Sequence, residues 1–184
     1  MNRKYEFTGE EKQFYGRTLK RIKSKKDFEN VACGDIGGWI EREENLDENG
    51  TAWIYDNACV FGDACVFGDA KVYDNACVYN NAWIYDNACV FGDAKVYDNA
   101  RVCGDAEVKK VRDVIYFSKV GSRNDALTAF KTKKGFSIKI GCFLGSLEQF
   151  LKKVQESHEN NKFAREYRAI AEVIKIRFEE EEDE

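Results

Sequence analysis

The sequence contains no proline, one histidine and one methionine. Acid–base and metal chemistry usually draws on several histidines, so this composition argues against enzyme classes built on histidine clusters. No apolar run reaches the roughly eighteen residues that a membrane-spanning helix needs. The opening stretch, MNRKYEFTGEEKQF, has basic residues but no apolar segment, which reads against a secretory signal. A cytoplasmic protein with no membrane partner is expected. Seven cysteines are present, yet none falls in a CxxC pair and the number is odd. That pattern disfavours a zinc ribbon or a complete disulfide framework and fits free thiols in a reducing compartment.

What the sequence does have is repetition. From Ala52 it reads AWIYDN, ACVFGD, ACVFGD, AKVYDN, ACVYNN, AWIYDN, ACVFGD, AKVYDN, ARVCGD, then a broken AEV at Ala106: nine uninterrupted blocks of six residues. Ala and Val/Ile alternate with a variable and an aromatic position, which is strand periodicity. The closing pair comes from Gly, Asp and Asn, residues that tolerate left-handed backbone angles, so each block should end in a corner. A six-residue period does not match a helix, and the Gly/Asp/Asn pairs would break one. Three such strands close one coil, and nine blocks predict three coils of 18 residues plus caps. Ala58, Val60, Ala64, Val66, Ala76, Val78, Ala88 and Val90 should point inward.

These blocks resemble the hexapeptide-repeat family over residues 52–108. The resemblance implies a left-handed parallel β-helix and a homotrimer. Upstream, GGWIE at Gly37–Glu41 reads as one degenerate hexad and Leu46 as a further inward residue. The GGW segment followed by hexads is also similar to small bacterial and phage hexapeptide proteins, which would place a phage-encoded chain in the host cytosol. Hexapeptide acyltransferases use a histidine within or beside the coils and a loop extruded between hexads. Residues 1–157 contain no histidine and the hexads have no interruption, so a protein that is not an enzyme is expected. His158 reads as a cation at a helix C-terminus.

The expected fold is mainly β: a cap with a degenerate first coil (1–50), the β-helix (51–113), a small α+β module (114–178) and an acidic tail (179–184). In the module, Val114–Lys119 reads as a strand. Ala126–Thr132 and Phe136–Cys142 form a hairpin across a lysine-rich turn at Lys133–Gly135. Ser146 with Gln149 makes a capping box ahead of a helix bearing Leu147, Phe150, Leu151 and Val154. A second helix begins near Asn161. Charge is partitioned: residues 32–113 hold seven Lys/Arg against sixteen Asp/Glu, whereas 114–178 hold thirteen against six. A basic module beside an acidic solenoid predicts either mutual docking or an anionic partner.

Residues 18 apart fall on one face, which predicts three outward columns: Tyr55, Tyr73, Phe91; Phe61, Tyr79, Tyr97; and Phe67, Tyr85, Cys103. Tyr55, Phe61, Phe67, Phe91, Trp53 and Trp83 are candidates for a subunit interface. Tyr73, Tyr79, Tyr85 and Tyr97 could stack on a planar ligand, with Arg123, Lys131, Lys133, Lys134, Lys139 and Ser146 holding phosphates near a glycine-flanked helix start at Gly141–Ser146. Five cysteines occupy outward repeat positions, and Cys59 and Cys77 lie one coil apart, within reach of a disulfide, although small semi-apolar fillers explain them as well. The corner Asp and Asn residues are expected to bond their own turns rather than a metal. The reading that follows is a non-catalytic protein sequestering a small nucleotide-like anion, with no cofactor and no duplex nucleic acid. The alternatives are a scaffold that binds a host protein, or a hexapeptide acyltransferase.

Overall fold

A computed structural model describes residues 2–179; the acidic tail beyond Glu179 lies outside the described residues. The hexads form a parallel β-solenoid. Its strands are two residues long and recur every six residues, from β4 (Trp53–Ile54) to β13 (Glu107–Val108). Each amide at a variable or aromatic position donates to a carbonyl seventeen residues onward, as in Trp53 N to Ala70 O at 3.0 Å and Tyr55 N to Val72 O at 2.8 Å. Every coil thus satisfies the main chain of the next. The inward Ala and Val/Ile side chains are fully buried.

The corners explain the repeat. The fifth residue of every hexad has a positive φ, from 51° at Asp56 to 70° at Gly62. Gly, Asp and Asn tolerate that conformation, whereas a β-branched residue would be strained. Contrary to the expectation that they bond their own turns, several corner carboxylates reach to the adjacent coil. Asp74 Oδ2 accepts from Gly92 N at 2.9 Å and Asp86 Oδ2 from Gly104 N at 3.2 Å.

The solenoid has about four turns among the described residues: the three coils of the hexads and a further one that the degenerate flanks supply. β3 (Ile36–Ile40) places Trp39 and Ile40 in parallel register with Cys59 and Val60, and Leu46 bridges Val66. Gly37 and Gly38 allow this close packing. A Cβ on Gly37 would lie 2.7 Å from Ile22 and Trp53, and one on Gly38 would lie 2.7 Å from Ala58 O. Between Ile40 and Leu46 a short 3-10 turn replaces the usual corner, held by the buried Asn45. Its Oδ1 accepts from Glu41 N and Arg42 N, while its Nδ2 donates to Gly62 O and Ala64 O. The same device ends the solenoid, where Asp113 Oδ2 accepts from Lys109 N and Lys110 N.

A hairpin of β1 (Tyr5–Phe14) and β2 (Arg17–Ser24) extends the β3 face antiparallel. Tyr5 and Ile22 join the solenoid core, and Leu19 packs with Trp39, Cys59, Phe61 and Cys77 on the outer side. This corrects two interface assignments. Trp53 is buried within the chain against Tyr5 and Phe28, and Phe61 beneath Phe14 and Tyr15. Both rings read as outward from the hexad pattern, which carries no signal of the strands at residues 5–24.

At the other end four antiparallel strands follow in order: β14 (Val114–Val120), β15 (Asp125–Thr132), β16 (Gly135–Ile140) and β17 (Phe143–Gly145). Helices α1 (Leu147–His158) and α2 (Lys162–Phe178) complete the chain. β17 lies inside the glycine-flanked segment before α1, where Phe143 and Leu144 are too few between glycines to announce a strand. The basic module docks on its own solenoid. Phe130 is fully buried in the solenoid core, Thr128 Oγ1 accepts from Arg101 N at 3.0 Å, and Lys133 lies 3.7 Å from Glu107.

Two stability predictions follow from this packing. Asn45→Ala leaves Arg42 N and Ala64 O without their partner and takes one of two bonds from Glu41 N and Gly62 O, and should cost about 2–3 kcal/mol, whereas Asn87→Ala at an exposed corner should stay within about 0.5 kcal/mol, measured by denaturant unfolding. Burial raises the thiols of Cys65, Cys89 and Cys103 and the phenols of Tyr5 and Tyr85. The native state therefore keeps protons that the unfolded chain releases, so their stabilisation is whole below the unfolded thiol range and declines as pH rises through about 8.5. Lys4, lowered to about 8 by burial, and Cys59, held low beside Cys77, act in the opposite direction. Unfolding midpoints should fall above pH 8.5, and replacing Cys65, Cys89 and Cys103 with alanine should flatten that fall.

Candidate active site in the C-terminal module

The local sequence directs α1 onto the sheet. Ser146 Oγ accepts from Gln149 N at 3.3 Å and Gln149 Oε1 accepts from Ser146 N at 2.9 Å, which closes the capping box. Phe150, Val154 and His158 are spaced four apart, so they share the inner face of the helix. Phe150 and Val154 are buried there, and His158, one turn further, is half-buried. From α2, Tyr167 presents its ring on the corresponding face, with centroids 5.6 Å from Phe150 and 5.7 Å from His158. The Phe163 ring also lies near the imidazole, at 5.9 Å.

A cavity of about 240 Å³ opens between the inner face of α1 and the β14–β15 and β16–β17 turns. Phe143, Phe150 and Val154 give it an apolar floor, while Arg123, Lys153 and His158 supply cationic or basic nitrogen on its walls. Asp125 is the carboxylate among its lining residues. The β14–β15 turn depends on Gly121, whose φ is +67° and whose position leaves no room for a side chain beside the Tyr167 hydroxyl. Gly121 N also donates to Glu166 Oε2 at 3.2 Å, tying the turn to α2. Burial, reinforced by the charge of Glu166, raises the Tyr167 phenol, so at neutral pH it is a hydrogen-bonding hydroxyl. The arrangement can hold a small molecule with an apolar body against a basic wall that contains an imidazole.

The residues predicted to bind a ligand do not converge. Arg123 lines the cavity. Lys139 donates to Gly141 O at 2.6 Å in the adjacent turn, and Ser146 is occupied as the helix cap. Lys131, 3.8 Å from Asp113, and Lys133 reach the solenoid end, while Lys134 sits exposed at the tip of their turn. The tyrosines lie on the solenoid faces: Tyr73 stacks on Phe91 at 4.9 Å, Tyr79 on Phe61 and Tyr97 at 5.1 Å, and Tyr85 on Phe67 at 4.9 Å. Tyr55 meets Tyr73 edge-on at 6.4 Å. Trp83 is 43% exposed, with the Arg101 guanidinium 5.1 Å above its ring. Sequence reasoning passed over Lys153, Tyr167 and the cavity role of His158. The spacing of Phe150, Val154 and His158 was the available signal.

Coils, corners and inward residues together define a hexapeptide-repeat β-helix. Among known proteins, a stretch of 44 residues is 48% identical to the uncharacterized acetyltransferase YdcK of Escherichia coli (strain K12). That stretch is 23% of this chain and spans 14% of the length of the relative. No family profile matches the chain. The similarity overturns the expectation of a non-catalytic protein that sequesters a nucleotide-like anion. It favours the acyltransferase alternative, which had been set aside because the hexads themselves hold no histidine.

If Gly121 is required by Tyr167, Gly121→Ala should lower stability by about 2 kcal/mol or more through strain at positive φ and overpacking. Tyr167→Phe, tested in the same unfolding experiment, should cost less than half as much, because only the hydroxyl is lost.

Proposed function

We propose that the protein is an acyltransferase of the hexapeptide-repeat kind, moving an acyl group from a thioester donor to a small amine or alcohol in the C-terminal cavity. The carrying observation is the 48% identity over 44 residues with a protein named an acetyltransferase. The cavity supports the reading because it contains the chain's one imidazole. In this reaction the acceptor nitrogen or oxygen attacks the thioester carbonyl, the C–S bond breaks, and the sulfur departs as a thiolate. His158 takes the proton that the acceptor loses and returns it to the departing sulfur, the role for which an imidazole is best suited near neutral pH. Arg123 and Lys153 are placed to hold anionic groups of donor or acceptor. The same reading takes the chain as a cytoplasmic homotrimer, supported by the exposed Trp83 beside the half-buried Phe67.

The test is incubation with acetyl-coenzyme A and a panel of small amines and alcohols, following free coenzyme A by chromatography because the chain's own thiols would consume a colorimetric reagent. Turnover is expected with at least one acceptor, and His158→Ala should reduce it about 100-fold or more in protein that circular dichroism shows to be folded. Neither binding nor turnover of acetyl-coenzyme A across the panel would refute the reading. For assembly, a monomer in sedimentation at micromolar concentration would remove the trimer.

A further inference from the structure

Away from the cavity, one pair of side chains combines proximity, chemistry and enclosure. Cys59 in β5 (Cys59–Val60) and Cys77 in β8 (Cys77–Val78) are direct partners in parallel register. Neighbouring strands lie about 4.8 Å apart, inside the Cα separation of roughly 4.4–6.8 Å that a disulfide accepts. Their thiols take equivalent positions: Cys59 Sγ donates to Asn57 O at 3.2 Å and Cys77 Sγ to Asn75 O at 3.6 Å. Other repeat cysteines lack such a partner, since Cys65 faces Trp83 and Cys89 lies between Lys71 and Glu107. Cys33 and Cys142 are exposed and lie outside the repeat.

The pair sits beneath the N-terminal hairpin, at 3% and 7% exposure, in a cluster with Leu19, Trp39 and Phe61. From β1, the Lys12 ammonium lies 4.4 Å from the Trp39 ring. The neighbouring Cys77 sulfur, helped by the charge of Lys12, holds the Cys59 thiol below its ordinary value despite burial. The neighbouring Cys59 sulfur and burial push the Cys77 thiol up. One sulfur is thus the readier nucleophile, and a second stands beside it to complete an exchange.

We propose that Cys59 and Cys77 form a redox-convertible pair, which low-molecular-weight disulfides oxidise to a staple between β5 and β8 under the hairpin. Cys59 thiolate attacks one sulfur of the small disulfide, forming a mixed disulfide and releasing one small thiolate. Cys77 thiolate then attacks the Cys59 sulfur and expels the second. The protein loses two protons and two electrons, and the small disulfide is reduced to two thiols. Opening of the hairpin admits the oxidant to the buried pair. The inference is independent of acyl transfer and survives if that activity is absent.

The experiment treats the full-length reduced protein with oxidised glutathione and maps its peptides without reduction. A peptide linked through Cys59 and Cys77, reversed by dithiothreitol, is the expected result, with Cys33 and Cys142 carrying glutathione separately. Cys77→Ser should instead accumulate glutathione on Cys59, because the resolving sulfur is gone. The proposal is overturned if Cys59 and Cys77 remain free thiols in the wild-type protein after Cys33 and Cys142 have reacted to completion. It is overturned equally if each takes up glutathione without linking. Both readouts come from the native chain, so they hold even where the variant fails to fold.

Discussion

The structure depends on the seventeen-residue hydrogen-bond step by which each coil's amides find carbonyls in the next. A two-residue strand cannot stand alone; it exists because its neighbours above and below supply its partners. That mutual dependence fixes the six-residue period, since an insertion within a strand, unlike a loop extruded at a corner, would throw every later amide out of step. It also creates a problem at each end, where a coil has partners on one side only. Both ends are handled in the same way. An Asx side chain, Asn45 at the start and Asp113 at the finish, gathers backbone amides in a short turn. A folded unit then covers the exposed rung.

The capping units explain which parts of the architecture could be read from sequence. Inward alanines and valines, corners and column spacing were legible because each is repeated nine times and each repeat obeys the same steric rule. The fourth turn was visible only in fragments, at Trp39–Ile40 and Leu46, because Asn45 replaces the corner signature with one residue. The β1–β2 hairpin left little trace. Its pattern of charged residues, as in GEEKQ and RTLKRIKS, conceals a surface that buries Leu19 and Ile22 against the solenoid. That omission alone misplaced Trp53 and Phe61. Periodicity reports which face of a strand points outward; it does not report what another segment later lays over that face.

The candidate site was harder to read for a different reason. Its parts come from two turns and two helices, brought together only when the sheet and helices pack. Arg123 drew notice as one of many basic residues. The lysines grouped with it serve another purpose, since Lys131 and Lys133 approach Asp113 and Glu107 and help to seat the module on the acidic coils. The charge partition thus records an internal docking contact. Exposed pairs of this kind contribute little to stability, so the seating rests mainly on buried apolar contact.

That contact passes through β15, which is buried on both sides. Thr128 and Phe130 face the solenoid, where one accepts from Arg101 N and the other fills the core of the last coil. Leu127 and Ala129, alternating with them, belong to the helix-packed core with Phe150, Val154 and Tyr167. The period-two geometry of one strand therefore makes it both the lid of the solenoid and the foundation of the cavity. The edge protection that every finite solenoid requires supplies, on its reverse face, a fixed platform for side chains from α1 and α2. A cavity built on such a platform inherits the order of the coils beneath it, because displacing Phe130 from the last coil would move Leu127 and Ala129 with it. The repeat thus contributes to the site through the rigidity of its terminal rung, without placing any of its own side chains at the imidazole.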